Sequence, residues 1–313
     1  MKTSDDTLTL AAPILPTTPL ARIPLVQRIA LHWVVRLLIT WFGFGLLTGG
    51  LVAGLEALLI DINAHVSTGV LAVGSLLTVV LVTLLIERRN PARIGLDLRR
   101  FARDWLKGAA VGAAYLAASL GILALLGSYQ ITGFAFAGQA LAAGFVLHVL
   151  VGVFEETLFR GILFRFLEEG FGSWIALAMT ASFFGFSHLS NPNATTWSAI
   201  AIALEAGVLF GAVYMATRSL WVAMGLHTAW NFLQGDMFGV AVSGNGAPDS
   251  LFKPIIQGNP WLTGGAFGIE ASVISVVLGL GVGIYFLVQA VRKQQIMRGL
   301  WWRSGINVLS NIA

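Results

Sequence analysis

Phe154-Glu155-Glu156-Thr157-Leu158-Phe159-Arg160 places two adjacent carboxylates and an arginine inside an apolar run covering about residues 140 to 160, long enough to cross a bilayer. A carboxylate at hydrocarbon depth is costly unless it is paired, protonated or turned toward a wet cavity, so such a cluster marks a functional site by default. On a helix, Glu156 and Arg160 are four apart and share a face, whereas Glu155 is turned by roughly 100° away from them. A plain ion pair therefore accounts for Glu156 and Arg160 and leaves Glu155 without a partner.

The composition extends this reading to the whole chain. Of 313 residues, 57% are hydrophobic and only 11% charged, with a mean hydropathy of +0.81; a soluble domain carries about a quarter charged residues. Apolar stretches recur at about 37 to 60, 66 to 86, 108 to 127, 140 to 160, 174 to 190, 197 to 217, 220 to 240 and 269 to 291. The expectation is an all-α polytopic membrane protein with about eight transmembrane helices. Cysteine is absent, which removes disulfides, thiolate nucleophiles and Cys-ligated metal and leaves an oxygen or an activated water as nucleophile. The net charge of +4 comes with no basic module interleaved with aromatics, so the bilayer's anionic headgroups, and not nucleic acid, are the expected partner.

In chain order, residues 1–36 read as a disordered cytosolic lead-in with a basic flank, punctuated by Pro13, Pro16, Pro19 and Pro24. Residues 37–139 hold the first helices. Between Glu87 and Lys107 lie seven basic and three acidic residues, and Leu98, Phe101, Trp105 and Leu106 recur at helical spacing, which predicts a basic amphipathic helix lying on the inner leaflet. Residues 140–240 form the chemically distinctive core. Residues 241–268 read as a flexible outer loop, and 269–313 as a last helix with a basic, aromatic tail. With both termini cytoplasmic, every basic residue of the loops and tails except Lys253 falls inside. The compact chain points to a bacterial plasma membrane.

Two further polar clusters accompany the glutamates. Phe184 and His188 are four apart, as are His227 and Asn231, so each pair shares a helical face. Glu155 and His188 are equally distant from the midpoint Phe171-Gly172. Two antiparallel helices folded about that turn bring them level, each roughly 25 Å from it at about 1.5 Å per residue. The same geometry puts Arg165, Glu168 and Glu169 in water. Glu155 then suits a general base acting on water, with His188 orienting that water and passing a proton to a leaving amine. His227 and Asn231 offer donors from one face, as an oxyanion hole requires. Phe184 reads as packing. Glu205 is a further intramembrane acid to which the pattern assigns no role.

These motifs resemble those of the CAAX protease and bacteriocin-processing family of intramembrane endopeptidases, which includes the type II CAAX prenyl endopeptidase. The likeness rests on Glu155-Glu156-x-x-x-Arg160, Phe184-x-x-x-His188 and His227-x-x-x-Asn231, with Gly207 to Trp221 as the joining segment. It implies a glutamate-dependent hydrolase acting on a membrane-associated peptide or protein, with no cofactor. The positions matching Glu155 and His188 would activate water, those matching His227 and Asn231 would hold the oxyanion, and Glu156, Arg160 and Phe184 would support them. Zinc held by two His and one Glu is the alternative mechanism. The alternative function is a non-catalytic immunity or scaffold protein. A transporter is disfavoured by the absence of an internal repeat.

Overall fold

The computed structural model describes residues 32–247 and 249–299. Most of the polar lead-in and the end of the basic tail lie outside the described residues.

Among the described residues eight principal helices follow one another: α1 Trp33–Ala57, α2 Ala64–Ile86, α3 Leu98–Leu125, α4 Gly138–Phe171, α5 Ser173–Ser187, α6 Thr196–Thr217, α7 Leu220–Phe232 and α8 Val273–Arg292. Each apolar run of the sequence becomes one of them. Among the described residues, however, six are long and apolar enough to cross a membrane. The expected count of eight spans is not confirmed: α5 has 15 residues of regular helix, continued by a tight turn to Ser190, and α7 has 13, continued by π turns to Met237, both short of the roughly 20 predominantly apolar residues that a hydrocarbon core of about 30 Å takes. The chain is an integral membrane protein. Leu38, Phe42 and Leu46 on α1 are exposed, as side chains facing lipid must be.

Three sequence expectations are corrected. The basic stretch does not form a separate surface helix: Leu98–Arg100 is one tight turn that runs directly into Phe101–Leu125. Its apolar members are partly absorbed by packing, with Phe101 edge-on to Trp221 at 4.9 Å. The loop 241–268 is ordered rather than a bare flexible loop. It contains β2 Phe252–Ile256, which pairs antiparallel with β1 Tyr129–Phe134; the small sheet is an addition to an otherwise helical bundle. Finally, Arg165 and Glu168 are buried rather than in water. Arg165 Nη1 donates to both oxygens of Glu87 at 2.7 and 2.8 Å, and Arg36 reaches Glu87 at 3.1 Å and also pairs with Glu169. Arg218 donates to Glu168 at 2.6 and 2.9 Å. Arginines from α1 and from the α6–α7 turn supply the partners that water was expected to provide. The start of the tail folds onto the same region, where Met297 N–H donates to Ser173 Oγ at 2.8 Å.

Two features place the site. Gly172 has φ +88°, a conformation only glycine adopts freely, and reverses the chain between α4 and α5. Phe159 and Phe184, equidistant from that turn, then meet edge-on at 4.8 Å. Helices α3 and α7 pack backbone to backbone: a Cβ on Gly108 would lie 1.9 Å from the Val222 carbonyl oxygen. Close approach through small residues is how membrane helices associate. Gly108→Ala should therefore destabilise the protein by about 1–3 kcal/mol, the usual cost of overpacking. A thermal midpoint in detergent equal to that of the parent would contradict it.

Candidate active site

Glu155 and Glu156 end the regular part of α4. From Thr157 to Phe164 the helix widens into π turns, a rare geometry that is frequent at functional sites. Glu156 is fully buried and its Oε1 accepts two bonds, from Arg160 Nη1 at 3.0 Å and from His227 Nδ1 at 2.9 Å. The Arg160 pair is the one expected from the i, i+4 spacing. The bond from His227 was not legible, since the two residues are 71 apart in sequence.

Arg160 is almost completely buried. Its guanidinium lies over the rings of Phe184 and Phe210, 4.8 and 5.2 Å from their centroids, and donates to the Gly207 carbonyl at 3.3 Å. Cation–π contacts of this kind offset part of the desolvation of the charge. Phe184 is therefore packing, as read from the sequence, but packing at the centre of the site. Its ring also lies 4.9 Å from that of His188 and 6.3 Å from that of His227.

His227 is the hub. With Nδ1–H given to Glu156, its Nε2 faces Glu155 Oε2 at 3.8 Å, and the ring stacks on Phe210 at 5.0 Å. Glu155 Oε2 is buried and has no hydrogen-bond partner among the described residues. His188 caps α5, and its Nδ1 donates to the Phe184 carbonyl at 2.7 Å. In the neutral ring this fixes the proton on Nδ1 and leaves Nε2 as an acceptor. His188, His227 and Asn231 all line one small cavity, together with Phe184 and Phe210. The structure thus gathers Glu156, Arg160, His227 and Phe184 by direct contact, sets Glu155 beside His227, and puts His188 and Asn231 on the same cavity wall.

The cavity has room for about one water-sized group, and its far wall holds residues for which the sequence reading had no role. Tyr115 Oη lies 2.8 Å from Glu205 Oε2 and 2.7 Å from the Ser275 carbonyl oxygen. Glu270, just ahead of α8, accepts from Ser243 N–H at 3.0 Å, Ser243 Oγ at 3.2 Å and Gln234 Nε2 at 2.7 Å. Burial pushes the Glu270 carboxyl up to about 7, against the opposing pull of the bonds from Gln234 and Ser243. Glu205 was visible as an acid in an apolar run, the same signal that revealed Glu155. Ser243 carried no such signal, because it arrives from the segment that covers the cavity, and Glu270 stands at the very start of the apolar stretch 269 to 291, where a charge reads as its boundary. That cover is tied down by Asn191 Nδ2 donating to the Ser243 carbonyl at 3.0 Å and Trp197 Nε1 to that of Ala271 at 2.8 Å.

Among the described residues no group of three or more His, Asp or Glu side chains is arranged to hold a metal ion. Residues 136–233, which include α4, α5, α6 and α7, match the family model described as type II CAAX prenyl endopeptidase Rce1-like. A search of curated proteins finds no match to the chain.

Proposed function

We propose that this chain, a member of the Rce1-like type II CAAX prenyl endopeptidase family through residues 136–233, is an intramembrane endopeptidase that hydrolyses a peptide bond of a membrane-associated protein with water activated by Glu155 and His188. The observation that carries this reading is the chain of contacts from Glu155 through His227 and Glu156 to Arg160, with His227, His188 and Asn231 lining one cavity. A simple structural ion pair needs neither the second carboxylate nor the second histidine.

The chemistry follows from the contacts. Glu155, with an oxygen that has no hydrogen-bond partner among the described residues, takes a proton from water as the water oxygen attacks the scissile carbonyl. His188 Nε2 orients that water and then serves the departing amine, which leaves with the proton Glu155 removed. His227 and Asn231 face the developing oxyanion. As an imidazolium His227 would present Nε2–H while its Nδ1–H stays on Glu156. Two glutamates, Arg160 and that ring then sum to zero charge, the condition a buried ionic set needs. Glu156, Arg160 and Phe184 are positioning residues. The reaction needs no metal in this scheme.

Arg36 of α1, Arg165 of α4 and Arg218 of the α6–α7 turn meet Glu87 and Glu168 at one end of the bundle. The positive-inside rule assigns that end to the cytoplasm. The termini would then face the cytoplasm too, and cleavage would occur in the cytoplasmic half of the membrane.

Purified full-length protein in proteoliposomes, incubated with membrane-associated polypeptides, should produce cleavage products that are lost in His188→Ala by about 10²-fold or more. Products formed equally by parent and variant would refute the assignment of His188. A chelator should leave the rate unchanged; loss of activity restored by zinc would replace this mechanism with a metal-dependent one.

A further inference from the structure

The contacts of Tyr115 contain a proton count. A tyrosine hydroxyl has one proton to donate, yet Tyr115 Oη lies at hydrogen-bond distance from two oxygens, Glu205 Oε2 at 2.8 Å and the Ser275 carbonyl at 2.7 Å. A backbone carbonyl can only accept, so the Tyr115 proton belongs to Ser275. The contact with Glu205 is then two oxygens at a separation typical of O–H···O bonds, and the proton between them has to come from Glu205. The arrangement is built tightly. A Cβ on Gly279 would lie 2.7 Å from Tyr115 Oη and 3.0 Å from Glu205 Cβ, so α8 presses its glycine backbone against the pair.

We propose that Glu205 is a protonated carboxylic acid that donates to Tyr115, and that its neutrality keeps the wall of the cavity facing His227 and Asn231 free of a second uncompensated anion when the oxyanion forms. The functional half of this inference rests on the proteolytic reading; the protonation itself does not. Glu205 touches no reacting atom in this account and acts by its charge state. The two acids of the wall divide their roles by environment. Glu270 collects three donors from Ser243 and Gln234, which suit a carboxylate. Glu205 shares the same cavity with it, and two carboxylates so placed do not both ionise. The other charged or titratable groups around Glu205 are Tyr115 on α3, His188 at the end of α5, His227 on α7, and Arg160, which reaches the Ala206 and Gly207 carbonyls at 3.5 and 3.3 Å. None of these places a cation on the Glu205 carboxyl itself.

Infrared difference spectroscopy on the full-length protein in detergent reads the protonation without any assay of cleavage. At neutral pH the parent should show the carbonyl stretch of buried protonated acid, with one component absent in Glu205→Gln and retained in Glu270→Gln; the component lost in Glu270→Gln is that of Glu270 itself, whose carboxyl is pushed up to about 7. No Glu205 component at neutral pH would overturn the proposal whether or not the protein is a protease. On raising the pH, the Glu205 component should disappear with the same midpoint as cleavage by the parent falls, about tenfold per pH unit beyond it. Glu205→Gln, which cannot ionise, should lack that alkaline limb. An identical limb in parent and Glu205→Gln would overturn the functional half while leaving the protonation standing, and cleavage absent from the parent at every pH would instead count against the proteolytic reading.

Discussion

Glu155→Gln in the purified protein should lower the rate of peptide-bond cleavage by about 10²–10⁴-fold, the range a positioned general base contributes. The amide keeps the shape of the side chain and removes its ability to take a proton. Little else should change, because Glu155 Oε2 has no hydrogen-bond partner among the described residues and lies 3.8 Å from His227 Nε2. The thermal midpoint should therefore stay close to that of the parent, which separates lost chemistry from lost fold. Glu155→Asp provides a second measure. It retains the carboxylate but withdraws it by one methylene, and a misplacement of about 1 Å can cost about 10²-fold. Cleavage by Glu155→Gln at the parental rate would remove the general base from the mechanism. If the chain were instead an immunity or scaffold protein, both variants would keep its protective effect in cells and neither parent nor variant would release products.

The parts of the site that could be read in the sequence are those whose geometry is local. The spacing of Glu156 and Arg160, of Phe184 and His188, and of His227 and Asn231 is set by one turn of helix, and each pair does share a face or a wall of the cavity. The turn at Gly172 was legible because a glycine between two charged and apolar stretches has a specific backbone meaning. Contacts between distant segments were not. Nothing in the local pattern announces that Glu156 serves His227 as well as Arg160, or that Ser243 and Glu270 descend onto the cavity from a stretch rich in Gly, Ser and Asn. The same blindness explains the charged end of the bundle. Seen alone, Arg165, Glu168 and Glu169 belong in water; in the fold Arg36, Glu87 and Arg218 meet them first. The π turns at Thr157–Phe164 and Ala203–Gly207 are likewise invisible to a period of 3.6. They matter because they re-aim side chains next to Glu156 and at Glu205.

Arg160→Met should be the most damaging single change to stability. The arginine is the only cation within hydrogen-bond distance of Glu156 among the described residues apart from His227, and removing one partner of a buried pair typically costs about 3–5 kcal/mol because the other charge is stranded. Methionine fills much of the space between Phe184 and Phe210, so the loss is electrostatic rather than a cavity. The expected result is a sharply lower thermal midpoint and poor accumulation in the membrane. Glu156→Gln on top of Arg160→Met removes the stranded charge and should recover most of that stability, since a buried ion pair replaced on both sides is often close to neutral. Cleavage should not recover with it. His227 Nδ1 would then face an amide in place of a carboxylate, leaving the ring without the anion that fixes its orientation and balances its charge, and a loss of at least about 10²-fold should persist. A double-mutant cycle on stability, run beside the cleavage rates, therefore separates the two functions of Glu156: coupling with Arg160 that disappears when both are replaced, and support of His227 that does not. Arg160→Met with the parental thermal midpoint would show that the pair does not hold the site together, and a double variant that regains parental cleavage would show that His227 does not depend on Glu156.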